Sequence, residues 1–282
     1  MNIAIISSHS SQNTLDLQAA IQARDGHSTV YALKDVAIAV DTLESHPFFG
    51  HDAYIFRGYN KSYSFAQALA QALVRRQKVV IDAQLTTGFI PSKFHEALMY
   101  KDAGVTHIPT FAARNFEALL GAGFDNEYPV VVKDVDSEKG RGVRLAHNED
   151  ELRAEIQNYG DQVIIQKFMT LNYDIRVLCI GDSIVGAIKR ESTSDDFRTN
   201  VSLGGTASVY ELNEQEATLA LKAHKAMGYD ISGVDVAVDS NGTPFIIETN
   251  ITPEWQGFKS ATGIDVAARI IDYATERLRQ DG

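Results

Sequence analysis

The hydrophobic positions of the first ninety residues switch between short continuous runs and helical spacing. Ile3–Ile6, Ala53–Phe56 and Lys78–Ile81 are apolar runs of strand length. Thr14–Arg24 and Tyr63–Arg76 repeat at helical intervals, the second with Phe65, Leu69, Ala72 and Leu73 along one face. This alternation predicts an open α/β arrangement around a parallel sheet. Strand ends in such a sheet shape a binding crevice, but no G-x-G-x-x-G follows Ile6, so a dinucleotide is not indicated.

Pro91 opens a second section. Ser92–Ala103 reads as a helix stopped by Gly104, Asn115–Leu120 as another, and Pro129–Lys133 as a strand leading to a loop with Gly140 and Gly142. Asn148 caps a helix whose acidic first turn, Glu149-Asp150-Glu151, complements the helix dipole. From Val163 the texture is β-rich: Val163–Phe168, Asp174–Ile180 and Ser183–Glu191. Asn213 and Glu216 have capping-box spacing at the start of a helix; then come strands Gly233–Asp239 and Thr243–Thr249 and an amphipathic helix from about Asp265 to Leu278. The fold class expected is α/β, with α+β texture in the C-terminal part, and the shifts in texture divide the chain into 1–90, 91–165 and 166–282.

Asn241-Gly242 is the strongest local signal for a two-residue hairpin turn. With Ser240 facing Thr243, Asp235 falls directly opposite Glu248, and Asn250 shares their face two residues on. A β-bulge would break this register. An acidic pair across a hairpin can be a solvated accident. This one interrupts strands of Val234, Val236, Val238 and Phe245, Ile246, Ile247, where facing carboxylates call for a cation. Two carboxylates and an amide suit Mg2+ or Mn2+, as one or two ions, better than zinc.

Composition narrows the function classes. The 282 residues are 44% apolar and 22% charged, enough for a proper core, and the net charge of −11 argues against nucleic-acid or anionic-membrane partners. No stretch approaches the ~20 apolar residues of a membrane span, and the start of the chain lacks a signal-peptide pattern, so a cytoplasmic protein is expected. The one cysteine, Cys179, lies in an apolar run and reads as a buried inert thiol. The eight histidines are scattered, and His9 reads as an ordinary loop residue. No nucleophile triad is evident, and Gly181-x-x-x-x-Gly186 continues with Ala187, so it is not a Walker loop.

Individually, Lys93 and Lys133 are consistent with snorkelling surface lysines. A Gly181-Asp182 turn would set Asp174 opposite Lys189 as a cross-strand ion pair, and Arg176 and Arg198 could be structural partners of carboxylates. Their order along the chain has a different import. Lys93 at a Pro-Ser-Lys helix start, Lys133 before a glycine loop and Val163-Ile-Ile-Gln-Lys-Phe168 resemble the ATP-grasp superfamily. So do Asp174-Ile-Arg176, Phe197-Arg198-Thr-Asn200 with Gly204-Gly205, Gly233-Val-Asp235 and Ile247-Glu248-Thr-Asn250. The likeness is to RimK-type carboxylate–amine ligases of the α-L-glutamate type, and runs from residue 1 to about residue 276.

The resemblance implies an N-terminal pre-ATP-grasp domain over 1–90, a central lobe over 91–165 and a C-terminal lobe over 166–282, with ATP between the lobes. Lys93 and Lys133 would hold phosphates, Gly140 and Gly142 would belong to the loop closing over them, and Gln166, Lys167 and Phe168 would form the adenine hinge. Asp174 would take a ribose hydroxyl and Arg176 would join the nucleotide site. Asp235, Glu248 and Asn250 would bind magnesium, and Arg198, Asn200 and Arg190 would steady the transferred phosphoryl group. The implied reaction activates a carboxylate as an acyl phosphate and passes it to an amine. Its partners would be an amino acid and an amine-bearing small molecule or peptide acceptor; a homo-oligomer is compatible.

Two departures bear on the substrate. Relatives continue Asn-x-Ser-Pro-Gly where this chain has Asn250-Ile-Thr-Pro253-Glu254-Trp255, which suggests a cationic or amine-bearing substrate contacted by Glu254 and Trp255. Lys167 stands where relatives are usually acidic. From the N-terminal domain, Arg57 and Lys61 could hold a substrate carboxylate or simply lie in a solvated loop. An ATP-grasp kinase and an ATP-sensing regulatory module are the alternative readings; Glu254 argues against the first and the intact Asp235, Glu248, Asn250 and Arg198 against the second.

Overall fold

The computed structural model describes residues 1–8, 10–88, 92–125, 127–134, 142–159, 163–171, 173–191 and 206–281. In the first part, β1 (Asn2–Ser7), α1 (Gln12–Gln22), β2 (His27–Ala32), β3 (Ala53–Arg57), α2 (Tyr63–Val74) and β4 (Val79–Ile81) build a parallel sheet of order β2-β1-β3-β4. Strands β1, β3 and β4 are buried on both faces, which is why they read as continuous apolar runs. Ile3, Ile5 and Ile55 face α1, and Ala4, Ile6 and Phe56 face α2. Along α2 the buried positions are Ala66, Leu69, Ala70 and Leu73, whereas Phe65 is exposed; the apolar face is rotated from the expected one.

The middle section contains α3 (Lys93–Asp102), β5 (Thr110–Ala113), α4 (Phe116–Gly121), β6 (Val130–Asp134), β7 (Val143–Ala146), α5 (Glu149–Tyr159) and β8 (Val163–Lys167). Its antiparallel sheet has the order β5-β8-β6-β7 and packs on α4 and α5. The expected boundary at 165 falls inside β8. Ser92 and Asn115 stand just outside their helices as N-caps, and Asn148, expected as a cap, accepts from the Glu151 amide. Helix α3 turns away from the central sheet, with Tyr100 in the core of the third section.

That section comprises β9 (Tyr173–Ile180), β10 (Ser183–Glu191), β11 (Thr206–Val209), α6 (Glu214–Met227), β12 (Ile231–Val238), β13 (Pro244–Asn250), α7 (Gln256–Thr262) and α8 (Val266–Asp281). Its antiparallel sheet has the order β11-β10-β9-β12-β13. One face, with Ile175, Val177, Val234, Val236 and Ile246, packs on α6, whose Asn213–Glu216 capping box is complete. Helix α8 packs back on α1, so one apolar cluster joins the first and third sections. Among the described residues no helix is long and apolar enough to cross a membrane.

Two strand pairs depart from the simple register. In the β12–β13 hairpin, Asp239 N–H donates to Thr243 O at 3.0 Å, so the loop has three residues, Ser240-Asn241-Gly242, with Gly242 at φ 82°. That shifts the pairing by one, setting Val236 against Ile246. Ile247 is then an extra residue, a β-bulge, which shifts it back and leaves Asp235 opposite Glu248 and Gly233 opposite Asn250. The expected pairing at the carboxylates holds because the two irregularities cancel. On β9–β10 a single bulge between Ile184 and Gly186 is not compensated, and Asp174 faces Arg190 instead of Lys189.

Candidate functional site

The C-terminal sheet turns its second face towards the central lobe, and the polar residues interrupting its apolar strands stand there. Arg176 on β9 pairs with Asp235 on β12, which pairs with Glu248 on β13, so the three side chains form a row across adjacent strands. Arg176 binds Asp235 in a two-point contact, with Nη2 to Oδ2 at 2.9 Å. Arg190 binds Asp174 with both ends of its guanidinium and also reaches Asp235 Oδ1 at 3.0 Å. Asp174, Arg190 and Asp235 are all buried. Asn250 completes the row, its amide nitrogen 3.0 Å from Glu248 Oε1 and 3.3 Å from Asp235 Oδ2.

Gly233 shows how closely this row is packed. A Cβ there would lie 2.9 Å from the Arg176 guanidinium and 3.0 Å from Pro253. Only glycine leaves Arg176 room to lie across the strand towards Asp235.

Lys93, at the start of α3, reaches Glu248 Oε2 at 3.0 Å. The pairing is electrostatically mutual: Glu248 raises the Lys93 ammonium, and Lys93 holds the Glu248 carboxyl well below the usual carboxylate range. Lys133 on β6 lines the same narrow cleft as Lys93, Gln166 and Ile247. Burial, assisted by the charge of Lys93, lowers its ammonium to about 8. These side chains enclose only about 10 Å³, less than a nucleotide occupies. Gln166 donates to Thr110 at 2.9 Å and leaves its buried Oε1 without a partner.

Glu96, one turn along α3 from Lys93, was not singled out from sequence. Its carboxylate accepts from the Thr249 amide and the Tyr100 hydroxyl, and Tyr100 also meets the Thr249 hydroxyl at 2.6 Å. It therefore clamps the backbone between Glu248 and Asn250. A glutamate on a helix face in one sequence carries no sign of such a long-range contact.

Other expected residues lie elsewhere. Lys167 points to solvent and pairs with Glu127 at 2.6 Å; the Phe168 amide donates to Pro129 O at 3.4 Å. Gly142 is buried and its carbonyl accepts from Asp134. Gly140, Arg198, Asn200 and His9 fall outside the described residues. Arg57 is buried at the end of β3, where it donates to Pro253 O at 2.7 Å and stacks 5.0 Å over the Trp255 ring. Trp255 is fully buried in the core shared by the first and third sections, so it offers no open ring face to a substrate, contrary to the expectation of an accessible ring beside the metal. Glu254 is exposed and accepts from Asn13 at 2.6 Å, which ties the segment to α1.

The donor set can be tested against a divalent cation. Among the described residues no group of three or more Asp, Glu, His or Cys side chains surrounds one point. A cation would rest on two carboxylates and the Asn250 amide, whose oxygen takes the nitrogen's position when the amide turns over. Hard oxygen donors of this number fit magnesium, which keeps places for phosphate oxygens and water. Glu248, 30% exposed, has Lys93 to displace, whereas Asp235, at 5%, must release Arg176 or Arg190.

A family model for the RimK-like ATP-grasp domain matches residues 117–274. A probable alpha-L-glutamate ligase of Nitrosococcus oceani is 36% identical over 150 residues, which is 51% of this chain and 50% of that protein. The ribosomal protein bS6–L-glutamate ligase of Escherichia coli O81 is 34% identical over 175 residues, 60% of this chain and 56% of the relative. The chain thus spans about half the length of the curated relatives it matches. Among solved structures, the ATP-grasp ligase PsnB complexed with a minimal precursor superposes with a TM-score of 0.75 at 16% identity, covering 98% of this chain and 99% of PsnB. That likeness shows a shared ATP-grasp fold, and with the match over more than half of its length the chain belongs to the RimK-like ATP-grasp family.

Proposed function

We propose that this chain is an ATP-dependent, ADP-forming carboxylate–amine ligase that adds an amino acid of the glutamate type to a peptide or small amine acceptor. The observation that carries this reading is the convergence, from three separate segments, of Lys93, Lys133, Glu248, Asp235 and Asn250 on one cleft between the lobes. A carboxylate is a poor acyl donor because its leaving group would be oxide. Transfer of the γ-phosphoryl group to it makes an acyl phosphate, and attack by an amine then releases phosphate and forms the amide. Such transfer asks the protein mainly for positioning and charge neutralisation. Lys93 and Lys133 would bind phosphate oxygens, Gln166 would face the base, and Glu96 and Tyr100 would hold the Glu248–Asn250 strand in place. Asp235, Glu248 and Asn250 would hold magnesium, which supplies neutralisation of the phosphate charge when bound. No protein nucleophile is needed, in keeping with the inert, buried Cys179.

The relatives' names support this class of substrate: one is a ribosomal protein bS6–L-glutamate ligase, and PsnB is a ligase complexed with a minimal precursor. The test is incubation of purified protein with ATP, magnesium and a matrix of amino acids and amine acceptors, following ADP release and product mass. ADP together with a new amide mass is the expected result; ADP without an amide, or no ADP from any mixture, overturns the reading.

A further inference from the structure

Six buried side-chain atoms among the described residues have no hydrogen-bond partner, and four of them belong to one connected group away from the cleft. They are Arg57 Nη1, Asp82 Oδ1, Gln84 Oε1 and Trp255 Nε1. Arg57 stacks on Trp255, and burial together with the neighbouring Asp82 charge sets its electrostatic surroundings. The Tyr59 hydroxyl donates to Asp82 Oδ2 at 3.1 Å and accepts from Gln84 Nε2 at 2.7 Å. All these residues are buried. Unpartnered polar atoms are uncommon inside proteins, and four in one place call for an account.

We propose that this group is a binding site for a small molecule bearing both a carboxylate and a protonated amine, an α-amino acid. The polarity of the four atoms selects that class. Arg57 Nη1 and the Trp255 indole N–H are donors lacking an acceptor, as a carboxylate would provide. Asp82 Oδ1 and Gln84 Oε1 are acceptors lacking a donor, as an ammonium would provide. A simple anion would leave the two acceptors unmet, and an apolar molecule would leave all four.

Its position agrees. Arg57 ends β3 and Asp82 directly follows β4, so both stand at the carboxyl ends of parallel strands, where open α/β sheets bind ligands. Asp82 is held at φ 79° and ψ 61°, a left-handed conformation rare for a side-chain-bearing residue. Asp230 fixes it there by accepting from the Asp82 and Ala83 amides, each at 2.7 Å. The cover is Pro253-Glu254-Trp255, which Arg57 holds through Pro253 O. Entry therefore requires that segment to lift from the end of β3. The same segment begins three residues after Asn250, so filling this site and ordering the cation strand are mechanically connected. Its use as the subsite for one of the two substrates rests on the ligase reading; the binding itself does not.

The test is calorimetric titration of the nucleotide-free protein with glycine, L-alanine, D-alanine and L-glutamate, and with the N-acetyl and amide derivatives of whichever binds. The expected result is one-to-one binding of at least one free amino acid, weakened roughly tenfold or more by either blocking group. Trp255→Phe removes the indole N–H together with the five-membered ring, so a lower melting temperature is expected from the space left in the core. The result that supports the site is roughly fivefold weaker binding of the free amino acid by variant protein that still unfolds cooperatively well above the assay temperature. Gln84→Met removes the unpartnered Oε1 and also the bond from Nε2 to the Tyr59 hydroxyl, and is expected to weaken binding by a similar factor with a modest fall in melting temperature. No binding of any free amino acid at about 10 mM, a result that leaves only ordered water at these atoms, overturns the proposal. So does binding indifferent to both blocking groups and to Trp255→Phe. ADP release with new amide but no nucleotide-free amino-acid binding would remove this site and leave the ligase reading intact; binding without any ADP release would do the reverse.

Discussion

In the nucleotide-free chain the groups proposed to hold phosphate occupy the groups proposed to hold the cation, and this predicts an effect of unusual sign. Lys93 Nζ lies 3.0 Å from Glu248 Oε2, with the two side chains 27% and 30% exposed. At the effective dielectric suited to such a position the pair attraction is ~5 kcal/mol gross, most of it offset by the hydration each group regains on separation. A cation approaching Glu248 must displace or repel Lys93, at a net cost of about 1–2 kcal/mol. Lys93→Met should therefore bind Mn2+ in the absence of nucleotide roughly 5- to 30-fold more tightly than the parent, and bind ATP more weakly. Lys93→Arg should resemble the parent, and Glu248→Gln should lose the cation in either background. The assay is the free Mn2+ electron-paramagnetic-resonance signal titrated against protein at fixed ionic strength, with nucleotide affinity measured in parallel. Equal or weaker Mn2+ binding by Lys93→Met would refute the idea that Lys93 guards Glu248. Parallel loss of both affinities would point instead to damaged folding.

Other consequences are open to simpler measurements. Asp230 accepts from the amides of Asp82 and Ala83, from Tyr273 at 2.5 Å and from Arg277 at 3.3 Å, so Asp230→Ala should lower the unfolding free energy in urea by ~2–4 kcal/mol; a change below ~1 would contradict that latch. His224, bonded to Ser232 and the Gly181 carbonyl, and His51, bonded to Tyr31 and Asn2, are both pushed down by burial. A depressed folded value means the unfolded chain takes up protons first, so stability is full above ~6.5 and falls as pH drops, by up to ~1.4 kcal/mol per unit for each group; a urea midpoint flat from pH 7.5 to 5.5 would disprove it. Nucleotide phosphate should return the Lys133 ammonium to its charged form, so ATP binding near pH 8 should take up protons, seen as a dependence of calorimetric heat on the buffer's ionisation enthalpy. Cys179, its thiol pushed up to about 12 by burial, should react with thiol reagents only after unfolding; labelling of the native protein at the unfolded rate would contradict that burial.

What the sequence revealed about the fold depended on how local the cause was. The buried parallel strands, the capped helices at Ser92, Asn115 and Asn213 and the tight Gly181-Asp182 turn of the β9–β10 hairpin all follow from signals within a few residues. Strand β2 is half exposed at a sheet edge, β5 is four residues long and α7 contains Gly257, so each lacks the periodicity that would announce it. The candidate site divides the same way. Asp235, Glu248 and Asn250 share a hairpin and could be aligned by counting, while Glu96, Tyr100 and Asp82 act on partners some 150 residues away and carry no local mark. Arg57 and Trp255 were legible as residues of interest, but their burial against each other was not, because it depends on how the first and third sections pack.

The hairpin also shows why a prediction reached through the wrong loop arrived at the right pair. A two-residue loop with straight strands and a three-residue loop with a bulge are equivalent at Asp235 and Glu248; they differ only between Val236 and Ile247. Straight pairing would turn Ile246 towards the cleft and Phe245 and Ile247 towards α6. In the observed arrangement Ile246 is fully buried in the α6 core, while Phe245 and Ile247 pack with Ile108, Met169 and Leu171 beside the cleft. The bulge therefore places three consecutive apolar residues in two cores that strict alternation would have assigned the other way. The ion pairs from Arg176 to Asp235 and from Lys93 to Glu248 hold the register at one end, the Asn241-Gly242 turn limits it at the other, and the apolar residues between them decide where the extra residue goes.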